Sequence, residues 1–589
     1  MSFIKIVLFS FLFILCSSKS QDYARHIELS LLFYECQRSG PLPKTNRIYW
    51  RHDSMLDAGQ DVGIDLTGGY YDAGDNVKYN FPAASAMTLL AWSGIEFAED
   101  YKKAGQFEYL LDTVKWGTDY FIKCHPSKDV LYIGVGNGQI DHSYWVPPEY
   151  IQYSYPSYKV DTENPGSEVA AETASTLAAS SILFKEVDSE YSQTLLKHAI
   201  ELYDFADTYR GDYHKSEPSV QGYYSSFNGY LDELAWGAAW LLRATGDEKY
   251  LEKYMDIYNR DWSPYDPYGF LYCHGPISWD DKRPGAYVLI AQLTKDEQLM
   301  KTAYEYCDTI LEQYTTYTTP GGLYYDSALS TWASNRYAAN VASMLAMFAN
   351  ILPESDPKRQ KYIDFVKSQI DYILGDNPAG IDYVVGADEN SPKDVHHRGA
   401  SGNYGAEDFI KPQFNIYTLY GALAGGPGRD DSYKDTRSNF QMNEVALDYN
   451  AGFTVCLASL LHFGYGVKDN IKDFPRAWPQ KAMASDVTIE VNGNSFSVST
   501  GSGLMCSSWC IYFSDSNTVC NGRETGFLDG EGTPQTGRFS GNAPDEVVFQ
   551  CDGFHVGNPN MIIPEYGHQY KVKLPGGPQN TKPLFEESK

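Results

Sequence analysis

The sequence predicts an all-α (α/α)6 barrel followed by a small disulfide-containing all-β domain. Three observations carry that prediction. Between Tyr23 and about Phe463, twelve segments place apolar residues three and four apart, with no strong strand pattern between them. Alternate connections between those segments are long. Beyond residue 486 the apolar period falls to two, and four of the ten cysteines lie there. Helical segments of this kind bury their faces as stacked hairpins. Closed into a ring they make the barrel; an open solenoid competes, but no repeated consensus is visible.

The chain opens, over residues 1–20, with one positive charge at Lys5, an apolar run at 6–16, and then Ser17, Ser18, Lys19 and Ser20. That is the pattern of a secretory signal peptide. No later apolar run reaches the length of a membrane span. The expected mature protein is therefore soluble and secreted to the extracellular space. Helices are expected near 24–37, 82–100, 106–124, 168–185, 190–208, 229–244, 247–259, 284–294, 296–314, 331–351, 357–374 and 442–463. In the fifth, Leu195, Leu196, Ala199, Leu202, Tyr203 and Ala206 share one face. Long connections, rich in Gly, Asp, Tyr and His, fall at 38–81, 125–167, 210–228, 260–283, 315–330 and 375–441. Loops of this length in a compact domain usually carry function. One end of the barrel is expected to build a site from them.

The barrel domain is assigned to 21–465, a linker to 466–485 and the β domain to 486–589. In the last unit, Val487, Ile489 and Val491, the turn at 492–494, then Phe496 and Val498 predict a β-hairpin. Val547, Phe549, Tyr570, Val572 and Leu574 predict further strands.

The 589 residues carry a net charge of −29, which disfavours nucleic acid and anionic membrane surfaces as partners. Aromatic residues make up 15%, with 48 Tyr and 11 Trp, and rings with a polar tip suit sugar faces as well as cores. Cys36, Cys124, Cys273, Cys307 and Cys456 fall mostly in apolar helical patterns and are expected as buried free thiols. Cys506, Cys510, Cys520 and Cys551 are expected as two disulfides, with zinc binding the alternative.

Two carboxylate clusters carry the chemistry. Glu444 lies in YKDTRSNFQMNEVALDYN (433–450), between a polar lead-in and an apolar helix. Apolar neighbours raise a carboxyl pKa and suit a proton donor. A first-turn glutamate favoured by the helix dipole is the plain alternative. Upstream, GGYYDAGDN (68–76) sets Asp72 and Asp75 three apart with only Ala73 and Gly74 between them. Asx turns explain either aspartate alone; too few oxygen ligands follow for an EF-hand. Together the clusters supply what glycosidic hydrolysis needs: Glu444 as the acid, and Asp75, with Asp72 beside it, as the base.

GGYYDAGDNVKYNFPAA (68–84), DVHHRGAS (394–401) and the run at 433–451 resemble the signature blocks of the family 9 glycoside hydrolases, the inverting cellulases. DELAWGAAWLLRATGD (232–247) and SWDDKRPGAYVLIA (278–291) are similar too, so the resemblance covers roughly 22–465. It implies a catalytic (α/α)6 barrel with an open cleft and a secreted endo-β-1,4-glucanase acting with inversion on internal bonds of cellulose. It also implies a catalytic carboxyl separation of roughly 6.5–9.5 Å. Asp75 matches the general base, Asp72 the partner that holds the attacking water, and Glu444 the general acid. Asp435 and His396 join the catalytic set, and His396 and Arg398 match sugar-binding residues beside the cleavage point. His142, Trp145, Tyr224, Trp332, Arg336 and Tyr449 match positions lining the substrate cleft. The resemblance implies a structural Ca2+ on Asp232, Glu233 and Asp281, with backbone oxygens near Asn228 and Gly229, and no organic cofactor. The implied partner is a β-1,4-glucan met by a monomer, with mixed-linkage glucan left open. A catalytically dead wall-binding protein on the same scaffold is the rival reading. The β domain lies outside the resemblance; Trp509 and Tyr512 suit either stacking on glucan or a small core.

Overall fold

The computed structural model describes residues 21–466, apart from 49, 261–274, 403–414 and 416, and beyond 486 little but strands. The expected signal peptide and nearly all of the expected linker lie outside the described residues, as does Cys273. Twelve long helices form the body: α1 (Tyr23–Cys36), α2 (Asn80–Glu96), α3 (Phe107–Cys124), α4 (Ser167–Phe184), α5 (Ser189–Thr208) and α6 (Leu231–Thr245). They continue as α7 (Lys249–Arg260), α8 (Arg283–Thr294), α9 (Glu297–Tyr314), α10 (Ser334–Ile351), α11 (Arg359–Ile373) and α12 (Leu447–His462).

The even-numbered helices form an inner ring. Helix α2 packs on α4, α4 on α6, α6 on α8, α8 on α10, α10 on α12, and α12 returns to α2. That last contact closes the circle and excludes the open solenoid. Each odd-numbered helix lies outside an inner one: α1 on α12, α3 on α2, α5 on α4, α7 on α6, α9 on α8 and α11 on α10.

Composition explains the two layers. Helix α4, SEVAAETASTLAASSILF, is buried everywhere but Ile182, and its small side chains let neighbours approach on both sides. Helix α5 instead buries one face: Ser192, Leu195, Ala199, Leu202, Tyr203, Phe205 and Ala206. Leu196, expected on that face, is half-buried. Short connections are set by caps. The Asp188 side chain accepts from Tyr191 N at the start of α5, Asp296 does the same for α9, and Gly246 ends α6 in the left-handed region. The barrel axis is filled, not hollow. Trp92 of α2 meets Trp236 and Trp240 of α6 with ring centroids 5.5 and 5.7 Å apart.

Three differences from expectation stand out. The 82–100 segment breaks after Glu96, and a separate short helix follows at Ala98–Lys103. An antiparallel sheet, β1 (Lys78–Tyr79), β2 (Leu131–Val135) and β3 (Ser157–Val160), links the first two long connections. Its middle strand, LYIGV, is wholly buried, so no alternation betrays it. The last inner helix begins at Leu447, not near 442. A four-residue helix at Phe440–Asn443 precedes it, and Glu444 is extended.

In the C-terminal unit, β4 (Val487–Asn492) and β5 (Ser495–Thr500) form the expected hairpin, with Val491 opposite Phe496. Strands at Glu546–Cys551 and His568–Lys573 pair Val547 with Val572 and Phe549 with Tyr570. The side chains of Cys506, Cys510, Cys520, Cys551, Trp509 and Tyr512 lie outside the described residues, and so does Leu574. Cys36, Cys124, Cys307 and Cys456 are buried free thiols, as expected. No helix among the described residues is long and apolar enough to cross a membrane.

Trp92 is fully buried against two other indoles. Trp92→Ala is expected to cost about 3–5 kcal/mol in chemical denaturation of the barrel. A loss below about 1 kcal/mol would mean the axis repacks and the indole cluster does not hold the inner ring.

Candidate active site

Every long connection runs from an odd helix to the next even one, so all six open at the end where the inner helices begin. The predicted residues enter from these connections or from the first turns that follow. Asp72 and Asp75 precede α2, His142 and Trp145 precede α4, and Tyr224 precedes α6. Trp332 and Arg336 flank the start of α10, and Glu444 and Tyr449 flank the start of α12.

Backbone hydrogen bonds stitch three sequence blocks together here. Leu447 N donates to Asp72 O at 3.0 Å, Arg398 N to Gly74 O at 2.8 Å, and His396 N to Asn443 O at 2.9 Å. His396 and Glu444 form an isolated parallel bridge. Gly74 is required by contact: a Cβ there would lie 2.0 Å from His396 O.

Asp72 and Asp75 are both buried. Tyr224 Oη donates to Asp72 Oδ2, and Asp75 Oδ1 accepts from Ala73 N at 3.2 Å. Burial, then the Asp75 charge, raises the Asp72 carboxyl well above its usual range, with Asp448 and Glu444 adding to it. Burial and then Asp141 push Asp75 up to about 8, against the pull of the Arg398 guanidinium. The Arg398 guanidinium favours the charged form of Asp75, and the Tyr224 hydroxyl favours that of Asp72.

Glu444 is half-buried, and burial raises its carboxyl. Trp332 Nε1 donates to its Oε2 at 2.6 Å and Tyr449 Oη to the same oxygen at 3.1 Å. Both donors meet Oε2, so a protonated Glu444 carries its hydrogen on Oε1. The first-turn acid of α12 is Asp448, which pairs with Arg336 at 3.1 Å. Glu444 therefore stands outside the helix, and the helix-start reading is corrected.

Several residues expected to line the cleft turn out to build it from behind. Arg398 is buried and bridges Asp141 Oδ2 at 3.1 Å and Gly74 O at 3.1 Å. Trp145 is buried too; its ring lies 4.8 Å from that of His396, and its Nε1 donates to Ser401 Oγ. Tyr449 is buried behind Glu444. His142 and Trp332 are the more open members, and Trp332 sits against exposed Phe440. Burial, with Arg398 and His142 nearby, lowers His396 to about 4, and its Nδ1 meets Arg437 O at 2.8 Å. The ring is therefore neutral with Nε2 unprotonated.

Asp435 does not join the three carboxyls. It accepts from Lys393 N at 2.7 Å and Asp394 N at 3.1 Å, bracing the segment that carries His396. Its place is a positioning one.

Two contributors escaped the sequence reading. Asp141, beside His142, is buried and accepts from Asn76 N and Tyr153 Oη. Gln37 donates to Ala73 O at 2.6 Å and meets His397 Nε2 at 2.7 Å, tying the aspartate loop to the HHR triplet. Asp141 had a signal, the DHSYW block; Gln37 had none.

The expected calcium ligands fit only in part. Glu233 is fully buried, and among the described residues neither of its oxygens has a hydrogen-bond donor; Lys282 Nζ stands 3.5 Å away. Asp232 accepts from Lys282 N at 2.8 Å, while Asp281 is paired with Arg283 at 2.6 Å. Among the described residues these three carboxylates do not bring three ligand atoms together. Asp280, bonded to Phe227 N and Asn228 Nδ2, raises the Glu233 carboxyl along with Asp232.

The family model for glycosyl hydrolase family 9 matches residues 23–457. Endoglucanase A of Bacillus pumilus is 42% identical over 80% of this chain and 70% of its own. The endoglucanase of the termite Nasutitermes takasagoensis is 42% identical and superimposes over 76% of this chain and all of its own, at a TM-score of 0.70. Endoglucanase CelQ of Clostridium thermocellum, complexed with cellobiose and cellotriose, is 28% identical over 96% of this chain and 97% of its own, at 0.71.

A carboxyl whose folded pKa lies above its unfolded value stabilises the fold below the unfolded pKa. That contribution is lost as pH rises through the folded one. For Asp75 the window runs from about 4 to about 8. Asp75→Asn is therefore expected to melt higher than the wild type at pH 8, with the gap shrinking toward pH 4. An equal gap at both pH values would show that Asp75 titrates normally.

Proposed function

The chain belongs to glycosyl hydrolase family 9 and is an endo-β-1,4-glucanase; from that premise we propose that it cuts internal bonds of cellulose by single displacement with inversion. The observation that supports this best is the meeting of Asp72 and Asp75 with Glu444, close enough for the Glu444 charge to raise both aspartates. Glu444, whose carboxyl burial raises, gives its proton to the glycosidic oxygen as the bond to the anomeric carbon breaks. With Asp75 ionised, a water held by Asp72 attacks that carbon and loses its proton to Asp75. The step leaves Glu444 ionised and Asp75 protonated, and exchange with solvent resets both. Neutral His396 accepts a sugar hydroxyl at Nε2, and Trp332 supplies a partly open ring beside the acid.

Cellobiose, cellotriose and cellotetraose are bound by solved relatives, and a β-1,4-glucan chain is the proposed partner here. Secretion rests on Lys5 and the apolar run after it. The domain division at 465 and 486 rests on the change of apolar period and on the family match ending at 457. A structural calcium rests on the buried Glu233 carboxylate, which a hard cation would satisfy with Asp232.

Two measurements check this. Glu444→Gln and Asp75→Asn are each expected to lower reducing-sugar release from carboxymethylcellulose roughly 100- to 10,000-fold. Proton NMR of fresh wild-type product should show the α-anomer first; the β-anomer appearing first would rule out inversion. Separately, dialysis against a chelator should lower the melting temperature, and Ca2+ should restore it more fully than Mg2+. No change on chelation would remove the calcium.

A further inference from the structure

On the outer layer of the barrel two histidines meet across helices. His125 follows the last residue of α3, and His198 lies in α5. Their Nδ1 atoms are 2.8 Å apart and their ring planes stand at 74°. Glu201 is three residues beyond His198 on the same helix, a spacing that puts both side chains on one face. One nitrogen from each ring and one carboxylate oxygen all lie within 4.8 Å of one another.

We propose that His125, His198 and Glu201 bind a divalent transition ion, of which zinc fits best. Two imidazoles and a carboxylate are the donor set such ions take from proteins. Calcium and magnesium, which seek oxygen, are excluded by the two nitrogens. His125 is buried, and its Nε2 approaches Lys128 O at 3.3 Å. A proton held on Nε2 by that carbonyl leaves the Nδ1 lone pair for the metal, as outer partners of metal-bound histidines commonly arrange.

A hydrogen bond between two neutral imidazoles is the simpler account of the 2.8 Å contact, and it needs no Glu201. On a tetrahedral zinc with bonds of about 2.0–2.1 Å, the two nitrogens would stand about 3.3 Å apart. A separation of half an ångström converts one arrangement to the other. Burial lowers both histidines, His125 further through His198, so a proton competes weakly for either ring. Among the described residues Glu201 pairs only with the exposed Lys197, at 3.9 Å, and that pair is easily given up. A bound ion would staple the end of α3 to the middle of α5, outside the reaction path.

The test uses the full chain stripped with a chelator. Wild type should give the visible absorption of tetrahedral Co2+, displaced by one equivalent of Zn2+, and Zn2+ should raise the melting temperature by a few degrees. His198→Ala should abolish the Co2+ band, and Glu201→Gln should weaken Zn2+ binding at least tenfold. Both should keep wild-type activity on carboxymethylcellulose, which also reports folding. No Co2+ band in the wild type would overturn the proposal. So would a band and melting shift that persist in both variants, which would move the ion to the Asp75, Asp141 and His142 cluster.

Discussion

The contact of the last inner helix with the first, α12 against α2, is the constraint on which the rest depends. Asp72 and Glu444 come from opposite ends of the barrel sequence. Only ring closure, sealed by Leu447 N to Asp72 O, sets them face to face. Closing so long a chain costs only a few kcal/mol more than closing a short one. The buried apolar surface of the inner ring readily exceeds that. Once the ring is closed, all six inner helices start at the same end. Their N-termini favour negative charge, which offsets part of the cost of burying several carboxyls there.

Around those carboxyls the structure invests in positioning. Arg398 and Asp141 form a buried pair, and Trp145, Tyr449, Gln37 and His397 hold what touches them. A buried ion pair is rarely a net source of stability, and breaking one is costly. Here the pair fixes the loop that carries Asp75 and tunes its charge, so its place is explained by the site.

Much of the fold was legible because the helical period is carried locally in each segment. Apolar residues three and four apart marked all twelve long helices, and most boundaries fall within three residues of expectation. What failed was non-local. Glu444 lies in a helical-looking run, but pairing with His396 from a distant segment pulls it into extended backbone. Asp435 shares a block with Glu444, yet the backbone of Lys393 and Asp394 claims it. Arg398 and Trp145 carried the right motif and a partly different task, since a motif records that a residue is needed but not which way it faces. The His125–His198 contact had no sequence signal, since the two lie far apart on separate helices.

The alternation of long and short connections also gives the molecule two unlike ends. At the far end from the carboxylates the chain turns sharply, and Lys185, Lys249 and Lys295 stand exposed there. Coupled to a solid support through those amines, the protein would face outward and leave its cleft clear for a rigid fibre. Anchored near Phe440 or Tyr150, it would press the cleft against the support.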